Sequence, residues 1–397
     1  MLVKTILKHA NVIDGVSKEA ISSLNIIIED EIIIEMTNEP VETTKNDIVI
    51  DCSTQYVMPG LIDAHVHLIW NGSAEDEFIM HDQDDSFIAL KAYRNALRTL
   101  SLGITSVRDV GSIHRTIIEL RNTINQGLLL GPTIICCGEA LSMTGGHVYH
   151  ICKEIDGPHE ARKATRQLFK DGADFIKVMA TGGMTTFGEE PGSSQLTKSE
   201  LQAVVEEAKK RNRKVAAHTG GLEGILTCLE VKIDTIEHGI YANEVALRQM
   251  KEQGTYLIPT LEVYKRLAYD ERVPEWVRIK SEKVLDPHRS MMKIAIDLGV
   301  KIVTGTDAGS SVTGPDAYFD ELLFMEDVGM TPMQVIQAST RVAAECLDLK
   351  DRGVIAVGRK ADLLILPSNP LDDLSVLSKK KKVLKNGKTV NDCLMDY

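Results

Sequence analysis

The chain has 397 residues, 43% of them hydrophobic, and a formal charge of −12, which is enough apolar content for one large barrel with a smaller attached domain. The acidic balance repels phosphate backbones and argues against nucleic acid as a partner. Seven cysteines without regular spacing do not make a disulfide framework, no stretch is long and apolar enough to span a membrane, and the first residues lack the apolar core of a signal peptide; a soluble cytoplasmic protein is expected.

Residues 1–56 hold short β-type runs at 3–7, 23–29, 32–36 and 48–51, separated by Asp14-Gly15 and Glu39-Pro40. No helical period intervenes, so a small antiparallel sheet is expected there. Further on the rhythm changes to strand, loop, helix. Strands are predicted at 61–68, 104–110, 133–138, 175–180, 215–218, 235–239, 256–261 and 301–306. Helices are predicted between them: at 86–102, at 201–211 behind the capping box Thr197-Lys-Ser-Glu200, and at 276–298, where Pro287 should bend or break the turn. Another opens at Thr331-Pro332 with proline in its first turn. This repeat over 57–352 predicts an α/β fold, a distorted (β/α)8 TIM barrel. The β rhythm returns at 353–355, 362–366, 382–385 and 389–390. Segments 1–56 and 353–397 are each too small to fold alone, so they are expected to build one composite β-sandwich domain. Lys379–Lys382 reads as a solvated turn before an edge strand.

Six side chains fall at or near the ends of predicted barrel strands. His65 and His67 are two apart, which on a strand puts both imidazoles on one face. Lys177 sits inside the apolar run Asp174-Phe-Ile-Lys-Val-Met179, where an ammonium ion is costly to bury. Desolvation would leave a neutral amine able to capture carbon dioxide as a bridging carbamate. His218 and His238 end the next strands, and Asp307 follows Lys301-Ile-Val-Thr-Gly-Thr306. Each has an ordinary reading taken alone: a rim histidine, a snorkelling lysine, a helix-capping aspartate. Together, in phase at one barrel mouth, they point to a two-metal hydrolytic site. Glu237 should point away from that mouth. Arg108 is read as pairing with Asp109 rather than binding a substrate carboxylate. Cys136 and Cys137 read as core, and His9, His81, His114, His159 and His288 read as ordinary residues of helices or surface strands. His147, after Gly145-Gly146, is either a plain loop residue or a substrate contact, and Tyr241 is either a packing or a contact residue.

The segment Pro59-Gly-Leu-Ile-Asp-Ala-His-Val-His67, the lysine in the fourth strand, the two later histidines and Thr304-Gly-Thr-Asp-Ala-Gly309 resemble the amidohydrolase superfamily over essentially the whole chain. Gly172-Ala-Asp-Phe-Ile-Lys-Val-Met-Ala-Thr-Gly-Gly183 and Thr144-Gly-Gly-His147 are similar to its prolidase-like Xaa-Pro dipeptidase and zinc carboxypeptidase branch, with imidazolonepropionase a more distant relative. The resemblance implies two zinc ions, one held by His65, His67 and Asp307 and the other by His218 and His238. Carboxylated Lys177 and a hydroxide would bridge them. It implies that His147 and Tyr241 meet the substrate and that Asp307 moves the proton. It also implies hydrolysis of the C-terminal amide of dipeptides or N-acyl amino acids, by a homo-oligomer acting on small molecules. Hydrolysis of a non-peptide amide, carbamate, lactone or cyclic amide stays open. A deaminase is disfavoured because His218-Thr-Gly-Gly221 lacks the glutamate those enzymes carry, and an inactive scaffold because no ligand is missing. Loops 141–158, 181–195, 261–274 and 309–318 should set specificity, and acidic residues there such as Glu189-Glu190 could favour a basic side chain.

Overall fold

Alternating branched apolar residues at the two ends of the chain become strands of one sheet. The computed structural model describes residues 3–75 and 83–390; His81 lies outside them. Backbone proximity divides the chain into two units, one made of Met1–Asp63, Leu97–Ser106 and Met330–Tyr397, the other of Ala64–Ala96 and Val107–Gly329.

In the first unit, strands Lys4–Val12, Ile21–Glu29, Ile32–Thr37, Ile48–Asp51, Tyr56–Pro59, Leu363–Leu366, Lys382–Lys385 and Lys388–Thr389 share a sheet. The expectation of antiparallel pairing needs correcting. Lys4–Val12 pairs antiparallel with Ile21–Glu29 but parallel with Ile48–Asp51 and Tyr56–Pro59. The connection through 38–47 carries the chain back to the start of the first strand instead of closing a hairpin. Both termini join where Leu363–Leu366 pairs with Tyr56–Pro59. Leu7, Val12, Ile26, Ile28 and Val57 pack there with Leu363, Ile365 and Leu384. The predicted strand at 353–355 is absent: Gly353 turns the chain at φ +84°, though Ile355 still reaches the core.

One buried charge cluster lies in this unit. The Asp362 carboxylate accepts hydrogen bonds from Arg352 at 2.9 Å, Lys385 at 2.7 Å and the Asn386 amide at 2.8 Å. Burial pushes the Lys385 amine down to about 8. Arg352 keeps its second pairing with Asp351, but Lys385 loses the carboxylate it pairs with, so Asp362→Asn should lower the stability of the full chain by about 3–5 kcal/mol. A urea midpoint unchanged from the parent would refute this.

The barrel strands are β1 (Leu61–Val66), β2 (Ile104–Asp109), β3 (Thr133–Cys136), β4 (Ile176–Met179), β5 (Val215–Thr219), β6 (Thr235–His238), β7 (Tyr256–Ile258) and β8 (Lys301–Ile302). β4 to β8 pair in parallel in chain order, and β1, β2 and β3 form a sheet of their own. Backbone bonds close the ring. Ala64 donates to Thr304 at 3.0 Å and Asp307 to His65 at 2.8 Å on one side, and Asp174 donates to Cys136 at 2.8 Å on the other. The architecture is a distorted (β/α)8 barrel together with a separate terminal sheet.

The capping boxes are present at Thr197–Glu200 and at Thr331–Gln334. Pro287 does not interrupt its helix, which runs from Glu275 to Leu298. The proline forfeits one backbone bond, and the buried face of Val277, Val284, His288, Met291 and Ala295 outlasts that loss. β7 is shorter than expected because Thr260 turns into the left-handed region at φ +50°, and the expected loop at 261–274 begins as the helix Leu261–Tyr269. Among the described residues no helix is long and apolar enough to cross a membrane.

Candidate active site

The strand ends are brought together by close backbone approaches that the local sequence permits. Gly309, at φ +110°, passes so near β1 that a Cβ there would lie 2.1 Å from the His67 carbonyl oxygen. Only glycine allows this approach, and it sets Asp307 beside both histidines. Alternation along β1 then turns His65 and His67 to one side.

His65, His67, Lys177, His218, His238 and Asp307 all line one cavity of about 40 Å³. His65 Nε2 lies 3.5 Å and His67 Nε2 3.4 Å from Asp307 Oδ1. Ligand atoms of His65, His238 and Asp307 lie within 4.8 Å of one another, an arrangement that could hold a metal ion. The His218 and His238 rings stand 4.5 Å apart. Lys177 is 1% exposed. Two of the six residues carry backbone strain: His238 at φ +69° and Asp307 at φ +61° occupy the left-handed region, as does the neighbouring Thr260. Such conformations are costly for residues other than glycine and gather at functional sites.

The outer contacts determine which ring nitrogens face the cavity. His65 Nδ1 donates to Glu237 Oε2 at 2.7 Å, and His67 Nδ1 donates to the Gly111 carbonyl at 2.9 Å. Both Nε2 atoms therefore face the Asp307 carboxylate. Burial, with help from Lys177, pushes His65 down to about 4, and burial also drives His218 and His238 well below the usual imidazole range. Lys177 is lowered by burial too, against the opposing pull of Glu237 and Asp307. Burial works against the charge of Asp307, but the surrounding imidazoles outweigh it and keep the carboxylate ionised. On His67 burial is likewise outweighed, here by the hydrogen bond to Asp307, and its proton affinity rises. The attraction that draws a proton into the gap between His67 and Asp307 would equally draw a metal cation.

Glu237 is not among the cavity-lining residues, and its partner corrects the expected Arg108–Asp109 pair. Arg108 donates to Glu237 at 2.8 Å, to Thr235 at 3.2 Å and to the Ala64 carbonyl at 2.6 Å. Asp109 instead accepts from the Leu68 amide at 2.8 Å. Burial raises Glu237, but Arg108 and His65 outweigh it and hold the carboxylate low.

His147 lines the cavity with Trp70, Met184, Val263, Tyr264 and Leu267. Its ring lies 4.3 Å from that of His218. Tyr241 is 38% exposed and is not among the cavity-lining residues; the tyrosine on the wall is Tyr264. His288 is not the ordinary helix residue expected. It is buried, and its Nε2 donates to the His238 carbonyl at 3.0 Å. Glu189 does not offer a free charge to a basic substrate, because its carboxylate is engaged by His147 and Gln195. Tyr264 and His288 escaped the sequence reading because both lie on helices, where a strand-end rule finds nothing.

A family model described as the amidohydrolase family matches residues 56–390. The ochratoxinase of Aspergillus niger is 30% identical, over 92% of this chain and 82% of its own. Among solved structures, a Xaa-Pro dipeptidase with methionine bound in its active site is 33% identical with a TM-score of 0.90, covering 98% of this chain and 100% of the other. A prolidase complexed with N-methylphosphonate-L-proline is 31% identical with a TM-score of 0.91 over the same 98% and 100%.

Proposed function

The chain belongs to the amidohydrolase family and is a hydrolase acting on amide bonds, and from that premise we propose that it removes the C-terminal residue from dipeptides or N-acyl amino acids with the help of two zinc ions. One observation carries the reading: the Nε2 atoms of His65 and His67 converge on the ionised Asp307 with His218, His238 and Lys177 in the same small cavity. A cation among these groups would satisfy all three at once, and imidazole with carboxylate suits zinc. His65, His67 and Asp307 would hold one ion, and His218 and His238 the other. Lys177 would serve both once its neutral amine has attacked carbon dioxide, forming a C–N bond and releasing one proton to leave a carbamate. Bound there, such a pair supplies Lewis-acid polarisation of the scissile carbonyl and lowers the pKa of water.

The chain's own groups carry the rest. Asp307, held by a 3.0 Å hydrogen bond from Ser310, takes up a proton from water and returns it to the leaving amine. His147 contacts the substrate beside His218. The apolar wall of Trp70, Met184, Val263 and Leu267 excludes solvent from the reacting amide. Tyr241 serves a part of the substrate that extends beyond the cavity. The two solved neighbours hold methionine and a derivative of L-proline, which supports an amino-acid substrate. We place the enzyme in the cytoplasm as a homo-oligomer whose partners are small molecules, with no nucleic acid and no membrane.

A library of dipeptides and N-acyl amino acids offered to the zinc-loaded protein tests this reading. Release of the C-terminal amino acid is expected; cleavage confined to esters, lactones or purine amines would defeat it. A second test concerns Gly183, where a Cβ would lie 2.2 Å from His147 Cε1. Gly183→Ala should push the imidazole aside and lower kcat/KM by about a hundredfold at unchanged zinc content. Parent-like kcat/KM in that variant would show that the ring position does not matter.

A further inference from the structure

The Glu189 carboxylate belongs to a closed circuit of hydrogen bonds around His147. The His147 amide donates to Gln195 Oε1 at 3.0 Å. Gln195 Nε2 donates to Glu189 Oε1 at 2.5 Å. Glu189 Oε2 lies 3.2 Å from His147 Nδ1 and accepts the Gly183 amide at 3.2 Å. Thr186 Oγ1 accepts the Val148 amide at 3.0 Å and lies 3.3 Å from Nδ1, with a second lone pair free to accept from it. A carboxylate only accepts, so the hydrogen of the imidazole belongs on Nδ1. Burial works against the charge of Glu189, but the bonds from His147, Gln195 and Gly183 outweigh it and keep the carboxylate ionised.

The circuit is anchored from outside. Lys280, on the helix Glu275–Leu298, donates to the Glu189 carbonyl. Its ammonium lies 5.0 Å from the Trp276 ring centre, and Trp276 meets Phe187 edge-on at 5.5 Å. The loop bearing Glu189 is thus tied at two points to one long helix. The His147 ring is fixed on one face by His218 and along its Cε1 edge by Gly183. With Nδ1 occupied, Nε2 is the ring atom left to meet a ligand.

We propose that Glu189, bridged by Gln195, is the positioning residue for His147, setting its ring plane and its tautomer so that Nε2 is presented to the substrate. This rests on the reading of His147 as a substrate contact. Glu189 itself touches no reacting atom, so its effect should pass entirely through His147.

The test uses the full-length, zinc-loaded protein with a substrate found in the library. Glu189→Ala should lower kcat/KM by about tenfold to a hundredfold with zinc content and Tm unchanged. Glu189→Gln, which keeps an acceptor but loses the charge, should lose less. In a His147→Ala background, Glu189→Ala should cost nothing further. An additive loss, or a loss that follows zinc content, would overturn the proposal. Nitrogen-15 spectra of histidine-labelled protein, with His147 assigned by its own substitution, provide a readout independent of turnover. Nδ1 should carry the proton in the parent, and that preference should vanish in Glu189→Ala; an unchanged tautomer would refute the positioning role. Should His147→Ala keep full turnover, the substrate-contact reading falls, and the nitrogen spectra alone then decide whether Glu189 positions the ring.

Discussion

Lys177→Ala is expected to bind one zinc ion per chain instead of two and to lose about a thousandfold or more in kcat/KM. The reason is geometric as well as chemical. Lys177 lies in β4, where its strand register places it across from Ala216 and places Met179 across from His218. It lines the same cavity as the four imidazoles and Asp307, and burial disfavours its ammonium form. A neutral amine would offer one nitrogen and no charge, whereas a carbamate would offer an anion with two oxygen ligands. Truncation removes that anion and leaves a space beside both ion positions. A small carboxylate such as acetate, added at high concentration, should therefore restore part of the lost turnover. Two zinc ions per chain in Lys177→Ala would contradict the bridge.

Asp307→Asn is expected to retain at least one ion while kcat falls by about a hundredfold to ten-thousandfold, the range for losing a proton-transferring group. The amide keeps an oxygen ligand in nearly the same position but cannot take up a proton. His65, His67 and Ser310 still surround it, so binding of substrate should change less than turnover. Zinc content measured alongside kcat and KM separates the outcomes. Full turnover would remove Asp307 from the proton path, and loss of all metal would make it a ligand only.

Most of the cavity could be read from the chain because its residues obey local rules. His65 and His67 share a face by strand alternation alone. His218, His238 and Asp307 stand where a short apolar run meets a loop, the position at which parallel strands of a barrel deliver side chains to one end, and Lys177 is marked by being a cation inside such a run. Glycines near Asp307 were legible as turns, but their close approach to β1 was not, since it depends on a neighbour far away in sequence. The same limit hid the Arg108–Glu237 pair. Arg108 has an acidic neighbour in Asp109, yet alternation sends the two side chains to opposite sides, and the true partner lies in β6. Glu189 read as a charge open to a basic side chain because nothing local announces a circuit through Gln195 and His147. Pro287 misled in the opposite direction: a local rule against helix was overruled by the buried face around it. The parallel pairing of Ile48–Asp51 with the first strand also depends on where a connection leads, which alternation cannot report.

Anomalous diffraction at the zinc edge, from crystals grown with zinc and bicarbonate, tests the central claim most directly. Two peaks are predicted, one among His65, His67 and Asp307 and one between His218 and His238, joined by continuous density from the Lys177 amine. A single peak, or Lys177 ending as a bare amine turned away from both positions, would contradict the two-metal account.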